Sequence, residues 1–247
     1  MVGMTDTPSL DDRFYFRQLL SGRDFARDDG IAHQMVNFSY LIGDRVTRQC
    51  LVVDPAYDID TLLAIAARDD MEVTGALVTH YHSDHCGGTM MGVRLIGIAE
   101  LVAAADVPVH VQRSEAEFVT KVTGVGGDSL VLHDAGDIVG VGAVPVELLH
   151  TPGHTPGSQC FLVNGCLVAG DTLFLEGCGR TDLPGGDPAQ LYVSLTQTLA
   201  KVPDDTILFP GHQYSVASSA TLGETRKMNY VFRPNSAEQW MAMFGGG

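Results

Sequence analysis

The chain has 247 residues, 45% of them hydrophobic and only 18% charged, with 28 glycines. That composition supplies apolar surface for one large core and many tight turns, and it excludes a disordered chain. Thirty acidic residues against 15 basic ones give a net charge of −15, a surface that repels phosphate backbones, so nucleic acid is not an expected partner.

Residues 1–12 are polar and read as a loose arm, without the apolar segment that directs secretion. Residues 14–20 form a candidate edge strand, and 37–42 and 49–53 read as two more, with Gly43-Asp44-Arg45 as the turn between them. Asp58 then opens a helix in which Ile59, Leu62, Leu63 and Ala66 fall at i, i+3, i+4 and i+7. The apolar run 73–78 predicts a buried strand, which completes a β-α-β unit and leads into Thr79-His80-Tyr81-His82-Ser83-Asp84-His85. Cys86-Gly87-Gly88 breaks regular structure. A helix over 95–104 and a strand over 107–111 follow, and Ser114-Glu115-Ala116-Glu117 has the form of a capping box ahead of Phe118, Val119 and Val122.

The second half predicts strands at 130–132, 138–139, 144–149, 160–163 and 166–169, with Asn164-Gly165 as a two-residue hairpin turn. Asp187-Pro188-Ala189-Gln190 starts a helix with the stripe Leu191, Leu195, Leu199 and Val202, stopped by Pro203. A last strand covers 206–209 and a helix 236–244. Two alternating blocks, 14–125 and 126–215, run on without a low-complexity linker. The expectation is a single domain over 1–247 made of two packed halves, with 216–247 as a short C-terminal helical segment.

Cys50, Cys86, Cys160, Cys166 and Cys178 are odd in number and show no C-x-x-C spacing, so a disulfide framework is not expected. There is no run of 18 apolar residues. These features predict a cytoplasmic protein with no membrane segment. They leave a homodimer open.

The chemistry concentrates in residues 79–85, where seven positions hold three imidazoles and one carboxylate. They lie where a strand ends, on a loop and not along a helix face. Imidazole suits zinc, iron or manganese, and a carboxylate adds charge neutralisation. Four such groups exceed the needs of one tetrahedral ion with an open position, so the spacing predicts two adjacent ions. His150, Asp171 and His212 each follow an apolar run, and strands of one sheet can carry all three to the same rim.

This series, Thr79-His80-x-His82-x-Asp84-His85, then His150, Gly170-Asp171 and Pro210-Gly211-His212, resembles the metallo-β-lactamase superfamily over about residues 35–215. The resemblance implies an α/β fold, an αββα sandwich of two mixed β-sheets flanked by helices. It also implies the site. His80, His82 and His150 would hold one metal, Asp84, His85 and His212 the other, and Asp171 would bridge them, with Asp84 and Asp171 as the catalytic carboxylates. The cofactors would be two divalent ions, zinc first, with iron or manganese as alternatives. Asp54 matches the family's first motif and is expected behind the ligands. His154 is expected to make a structural hydrogen bond. Water between two such ions loses its proton near pH 7 instead of ~15.7, so it needs no side-chain base to become a nucleophile.

Within the superfamily, residues 150–157 and 170–174 look like glyoxalase II, which hydrolyses acyl-glutathione thioesters. Gly177-Cys178-Gly179-Arg180-Thr181-Asp182 looks more like persulfide dioxygenases and the short glyoxalase II-like proteins. Glyoxalase II usually has a lysine where Arg180 stands and a longer helical region than the 35 residues after His212, so a thiol other than glutathione is open. The expected activity is hydrolysis of a thioester, with a small-molecule thiol conjugate as partner. Arg180 would anchor a substrate carboxylate, and Tyr214 would hydrogen-bond the substrate. The alternative is a single-iron dioxygenase acting on a thiol persulfide, with His80, His150 and Asp171 as its facial triad.

Overall fold

A computed structural model describes residues 9–245. Strands β1 (Phe14–Leu20), β2 (Phe38–Asp44), β3 (Gln49–Val53) and β4 (Glu72–Leu77) come first. β5 (Gly88–Met90) and β6 (Val93–Leu95) make a separate hairpin, and β7 (Val109–Gln112) and β8 (Leu130–His133) follow. The second half supplies β9 (Ile138–Val141), β10 (Val144–His150), β11 (Gln159–Val163), β12 (Cys166–Gly170), β13 (Ile207–Pro210) and β14 (Ala220–Thr221). Two six-stranded sheets result, ordered β1-β2-β3-β4-β7-β8 and β14-β13-β12-β11-β10-β9. Both are mixed: β4 runs parallel to β3 and β7, and β12 parallel to β13, while β1-β2 and β10-β11 are antiparallel.

The two-residue period of a strand sorts side chains between layers. Phe38, Tyr40 and Ile42 of β2 and Leu51 and Val53 of β3 meet Val146, Leu148, Phe161 and Val168 of the second sheet in a core between the sheets. The intervening Leu41, Cys50 and Val52 point the other way, into a core shared with Ile59, Leu62, Ile65 and Ala66 of the Ile59–Arg68 helix. A third core packs Cys160, Leu167 and Ala169 under Leu191, Leu222 and Trp240. The layers are therefore helix, sheet, sheet and helix, the αββα sandwich.

Several local expectations shift. β2 continues through Gly43 and Asp44, so the turn falls after them. The arm expected over 1–12 lies outside the described residues up to residue 8, and Ser9 caps a one-turn helix, Leu10–Arg13. The hairpin β5-β6 and the helix Gly30–Met35 were not expected, and the helical segment expected over 216–247 contains the helices Leu222–Met228 and Ala237–Phe244. The Pro188 helix is regular only to Val193 and then loosens. The capping box at residue 114 does not form, because Gln112 accepts from the Ser114 N–H and frees Glu115 for the interior. All five thiols are free. Among the described residues, no helix is long and apolar enough to cross a membrane.

The sheets are tied together at one rim. The Gln159 N–H donates to the Thr79 carbonyl at 3.0 Å and its amide to the Val78 carbonyl at 2.9 Å. The Phe38 N–H donates to the Gly211 carbonyl at 2.8 Å. These bonds join the ends of β4 and β11, and of β2 and β13, which is where the ligand-type side chains emerge.

Candidate metal centre

Six of the expected ligand residues converge on this rim: His80, His82, Asp84, His85, Asp171 and His212. His150 does not. It ends β10, but its Nε2–H donates to the Pro156 carbonyl at 3.0 Å. The loop after it folds back and delivers His154 instead, so the trio is His80, His82 and His154. The single structural hydrogen bond expected of His154 is there as well, on its other nitrogen. A second correction concerns Asp84 and His85, which sit on a one-turn helix, Ser83–Cys86, and not on an open loop.

Hydrogen bonds behind the rings decide which nitrogen each one presents. The His154 Nδ1–H donates to the Arg180 carbonyl and that of His212 to the Met35 carbonyl, both at 2.7 Å. The His85 Nδ1–H donates to Asp54 at 2.9 Å. The Thr79 hydroxyl donates to Asp54 at 2.6 Å, which leaves its oxygen to accept from the His80 Nδ1–H at 3.0 Å. Asp54 also accepts from the Thr79 N–H and is held at φ +50°, a strained conformation for an aspartate. Each of these four imidazoles therefore turns Nε2 inward. His82 alone turns Nδ1 inward, 3.1 Å from His80 Nε2 and 3.0 Å from His154 Nε2.

In the second trio, His85 Nε2 and His212 Nε2 are 3.1 Å apart, and Asp84 Oδ2 is 3.5 Å from each. Asp171 lies between the trios, Oδ1 at 3.4 Å from His85 Nε2 and Oδ2 at 3.4 Å from His212 and 3.6 Å from His154. Gly211 makes room for it, because a Cβ there would stand 2.3 Å from Oδ1. That Oδ1 is buried without a hydrogen-bond partner. Facing lone pairs beside an orphaned carboxylate oxygen repel unless a positive charge stands among them, so the donor set fits divalent cations.

Charge divides the trios. Burial, then the neighbouring imidazoles, holds His80 well below its usual value and brings His82 down to about 4. Burial also opposes charge on His85, but Asp84, Asp171 and Asp54 outweigh it and lift the ring to about 10. His212 is raised likewise, mainly by Asp171 against burial. Despite their burial, Asp84 and Asp171 are lowered by His85 and His212. The first trio is a set of neutral donors, and the second draws in positive charge.

Two braces were not legible in advance. Buried Glu115 accepts from the Tyr81 N–H at 2.8 Å, the Thr155 hydroxyl at 2.7 Å and the Gly157 N–H at 2.6 Å, which pins both loops of the first trio. Gly157 permits that approach, since a Cβ would sit 2.5 Å from the Glu115 side chain. The Asn37 amide donates to Asp84 Oδ2 at 3.0 Å, and its oxygen accepts from the Tyr57 hydroxyl at 2.7 Å. Neither carried a sequence signal: Asn37 reads as the first residue of a strand and Glu115 as part of a capping box.

Arg180 and Tyr214 both line the cavity over the centre. Arg180 donates to Asp182 from Nε and Nη2, at 2.6 and 2.5 Å. Tyr214 stacks on His212, centroids 4.7 Å apart and planes within 6°. Burial, then Asp171 and Asp84, raises its phenol, which stays a donor at neutral pH. Burial alone pushes the Cys178 thiol up to about 12, so it is not an activated nucleophile.

The family described as the metallo-beta-lactamase superfamily matches residues 34–212. Hydroxyacylglutathione hydrolase of Aeromonas hydrophila is 35% identical over 187 residues, 74% of this chain and 63% of that enzyme, so the match leaves over a third of the relative uncovered. Human mitochondrial persulfide dioxygenase ETHE1 is 30% identical over 78% of this chain and 70% of its own. The crystal structure of ETHE1 from Myxococcus xanthus superposes with a TM-score of 0.75 at 29% identity, covering 94% of this chain and 90% of that one.

Proposed function

The chain belongs to the metallo-beta-lactamase superfamily and is a metal-dependent enzyme, and on that premise we propose that it hydrolyses a thioester of a small thiol at a centre of two divalent ions. The observation that carries this reading is the second trio. Asp84, His85 and His212 bring three donor atoms within 3.1–3.5 Å of one another, beside the orphaned Asp171 oxygen, and one ion at the first trio leaves them unused. The similarity to a hydroxyacylglutathione hydrolase supports the thioester.

His80, His82 and His154 would hold one ion, Asp84, His85 and His212 the other, and Asp171 would offer one oxygen to each. Two such ions supply Lewis acidity, which brings the pKa of water from ~15.7 to about 7 and polarises a carbonyl. The chain's own groups do the positioning. Asp54 and Thr79 fix the His80 and His85 tautomers, the Met35 and Arg180 carbonyls fix those of His212 and His154, and Asn37 steadies Asp84. Tyr214, on the face of His212, offers a phenol proton at the cavity wall.

A second reading is a persulfide dioxygenase with one iron on His80, His154 and Asp171, supported by the similarity to the human enzyme of that name. Elemental analysis of protein purified without added metal separates the two. About two ions per chain with thioester cleavage and no oxygen uptake support hydrolysis. A single iron with oxygen consumed on a thiol persulfide overturns it.

A further inference from the structure

We propose that the cavity over the metal centre accepts an uncharged thioester with an apolar arm and turns away carriers that bear carboxylates, glutathione among them. This rests on the thioester reading above and names its substrate class. The cavity has a volume of about 640 Å³, inside the ~300–1,000 Å³ of small-molecule sites.

Much of its wall beyond the ligands is apolar. Tyr214 lies flat on His212, and Phe174 meets Tyr214 edge-on at 5.1 Å. Tyr230, Leu183, Met90 and Met91 line the same space. Met90 and Met91 come from the β5-β6 hairpin, and Met91 is 94% exposed. Two flexible thioethers beside a fixed aromatic pair suit an arm of variable shape. Open apolar surface of this kind has an unfavourable contact with water that such an arm would remove.

Charge argues the other half. Among the described residues, Arg180 is the only lysine or arginine in that wall, and Asp182 already takes two of its donors. Glu176 stands exposed in the same wall. The chain as a whole carries −15. Glutathione brings two carboxylates and one ammonium. A carboxylate would meet an Arg180 whose Nε edge is already taken by Asp182, with Glu176 in the same wall.

The test uses purified, metal-loaded protein, a series of thioesters and a pair of thioethers. The series is the acetyl, butyryl and hexanoyl thioesters of N-acetylcysteamine, a neutral thiol, against hexanoylglutathione. Each buried methylene is worth ~0.8 kcal/mol, so kcat/KM should rise about fourfold per methylene until the cavity fills. Hexanoylglutathione should fall roughly tenfold or more below its neutral counterpart, the worth of one unanswered charge contact. The thioether pair cannot be hydrolysed: S-hexyl-N-acetylcysteamine and S-hexylglutathione, compared by calorimetric titration. The neutral thioether should bind tighter by a similar factor, and Met90→Lys should narrow the gap by supplying a free cation. If neither thioester is cleaved while the neutral thioether still binds tighter, the hydrolase reading falls and the cavity assignment stands. Equal or tighter binding of S-hexylglutathione, no binding of either thioether, or a rate indifferent to chain length overturns the assignment.

Discussion

Glu115→Gln asks whether one buried carboxylate holds both loops of the first trio. The side chain is 1% exposed. Oε1 takes the Tyr81 N–H, between His80 and His82, together with the hydroxyl of Thr155, next to His154. Oε2 takes the Gly157 N–H. Glutamine is nearly the same shape but has one acceptor oxygen. Whichever way its amide turns, an NH2 group faces the backbone N–H of Tyr81 or of Gly157, and that buried donor loses its partner at about 1–3 kcal/mol. Part is returned, because a neutral amide is easier to bury than a carboxylate, and burial already pushes the Glu115 carboxyl above its usual range. A net loss of about 1–2 kcal/mol in stability is expected. The larger effect should fall on the first ion. Its three donors must stay near their 3.0–3.1 Å spacing, and removing a partner behind a metal ligand typically costs 10- to 100-fold in affinity. Competition against a chelator of known affinity, read separately for the first and second ion, measures it, with thermal unfolding alongside. Unchanged affinity for the first ion, or an equal loss at both, would refute the reasoning.

His154→Ala should abolish tight binding of the first ion, whereas His150→Ala should leave metal content as it was; elemental analysis of both variants decides it. Asp171→Asn keeps the shape but removes the charge between the trios, so bound metal should fall from about two ions per chain to about one or fewer, and wild-type occupancy would contradict the bridging role. Outside the ligand set, burial and then His133 bring His110 down to about 4, with the two rings in contact at 2.8 Å. A depressed folded value means that the unfolded chain binds the extra proton. The stability from a neutral His110 is therefore full above about pH 6.5 and is lost as pH falls toward about 4. Discounted for partial exposure, the loss is about 1–2 kcal/mol. Wild type should lose more unfolding free energy than His110→Gln between about pH 7.5 and pH 5; parallel losses would reject the assignment.

The sheets were legible because strands such as β2 and β3 are short apolar runs bounded by turn residues, as expected of strands with a core to fill on each face. The convergence of Asp171 and His212 with residues 80–85 was legible for a related reason. Strand ends share a rim, and inter-sheet bonds such as Gln159 to Thr79 close that rim into one surface. The same rule misread His150. It does end a strand, but a strand end fixes only where a residue starts from, and the imidazole of His150 is spent on the Pro156 carbonyl. The signal for His154 lay in its flanks: Pro152-Gly153 before it and Pro156-Gly157 after it mark a loop built to reverse direction, with Gly153 at φ +136°. Such a loop can reach across the rim where a strand cannot. Glu115 and Asn37 were hidden for a different cause. Their partners are backbone groups and ligand side chains from distant parts of the chain, and periodicity carries no information about contacts of that range. The residues that chelate follow a local pattern because chemistry restricts their type and spacing. The residues that hold them still follow from the tertiary fold, and they come into view only when the two sheets are seen together.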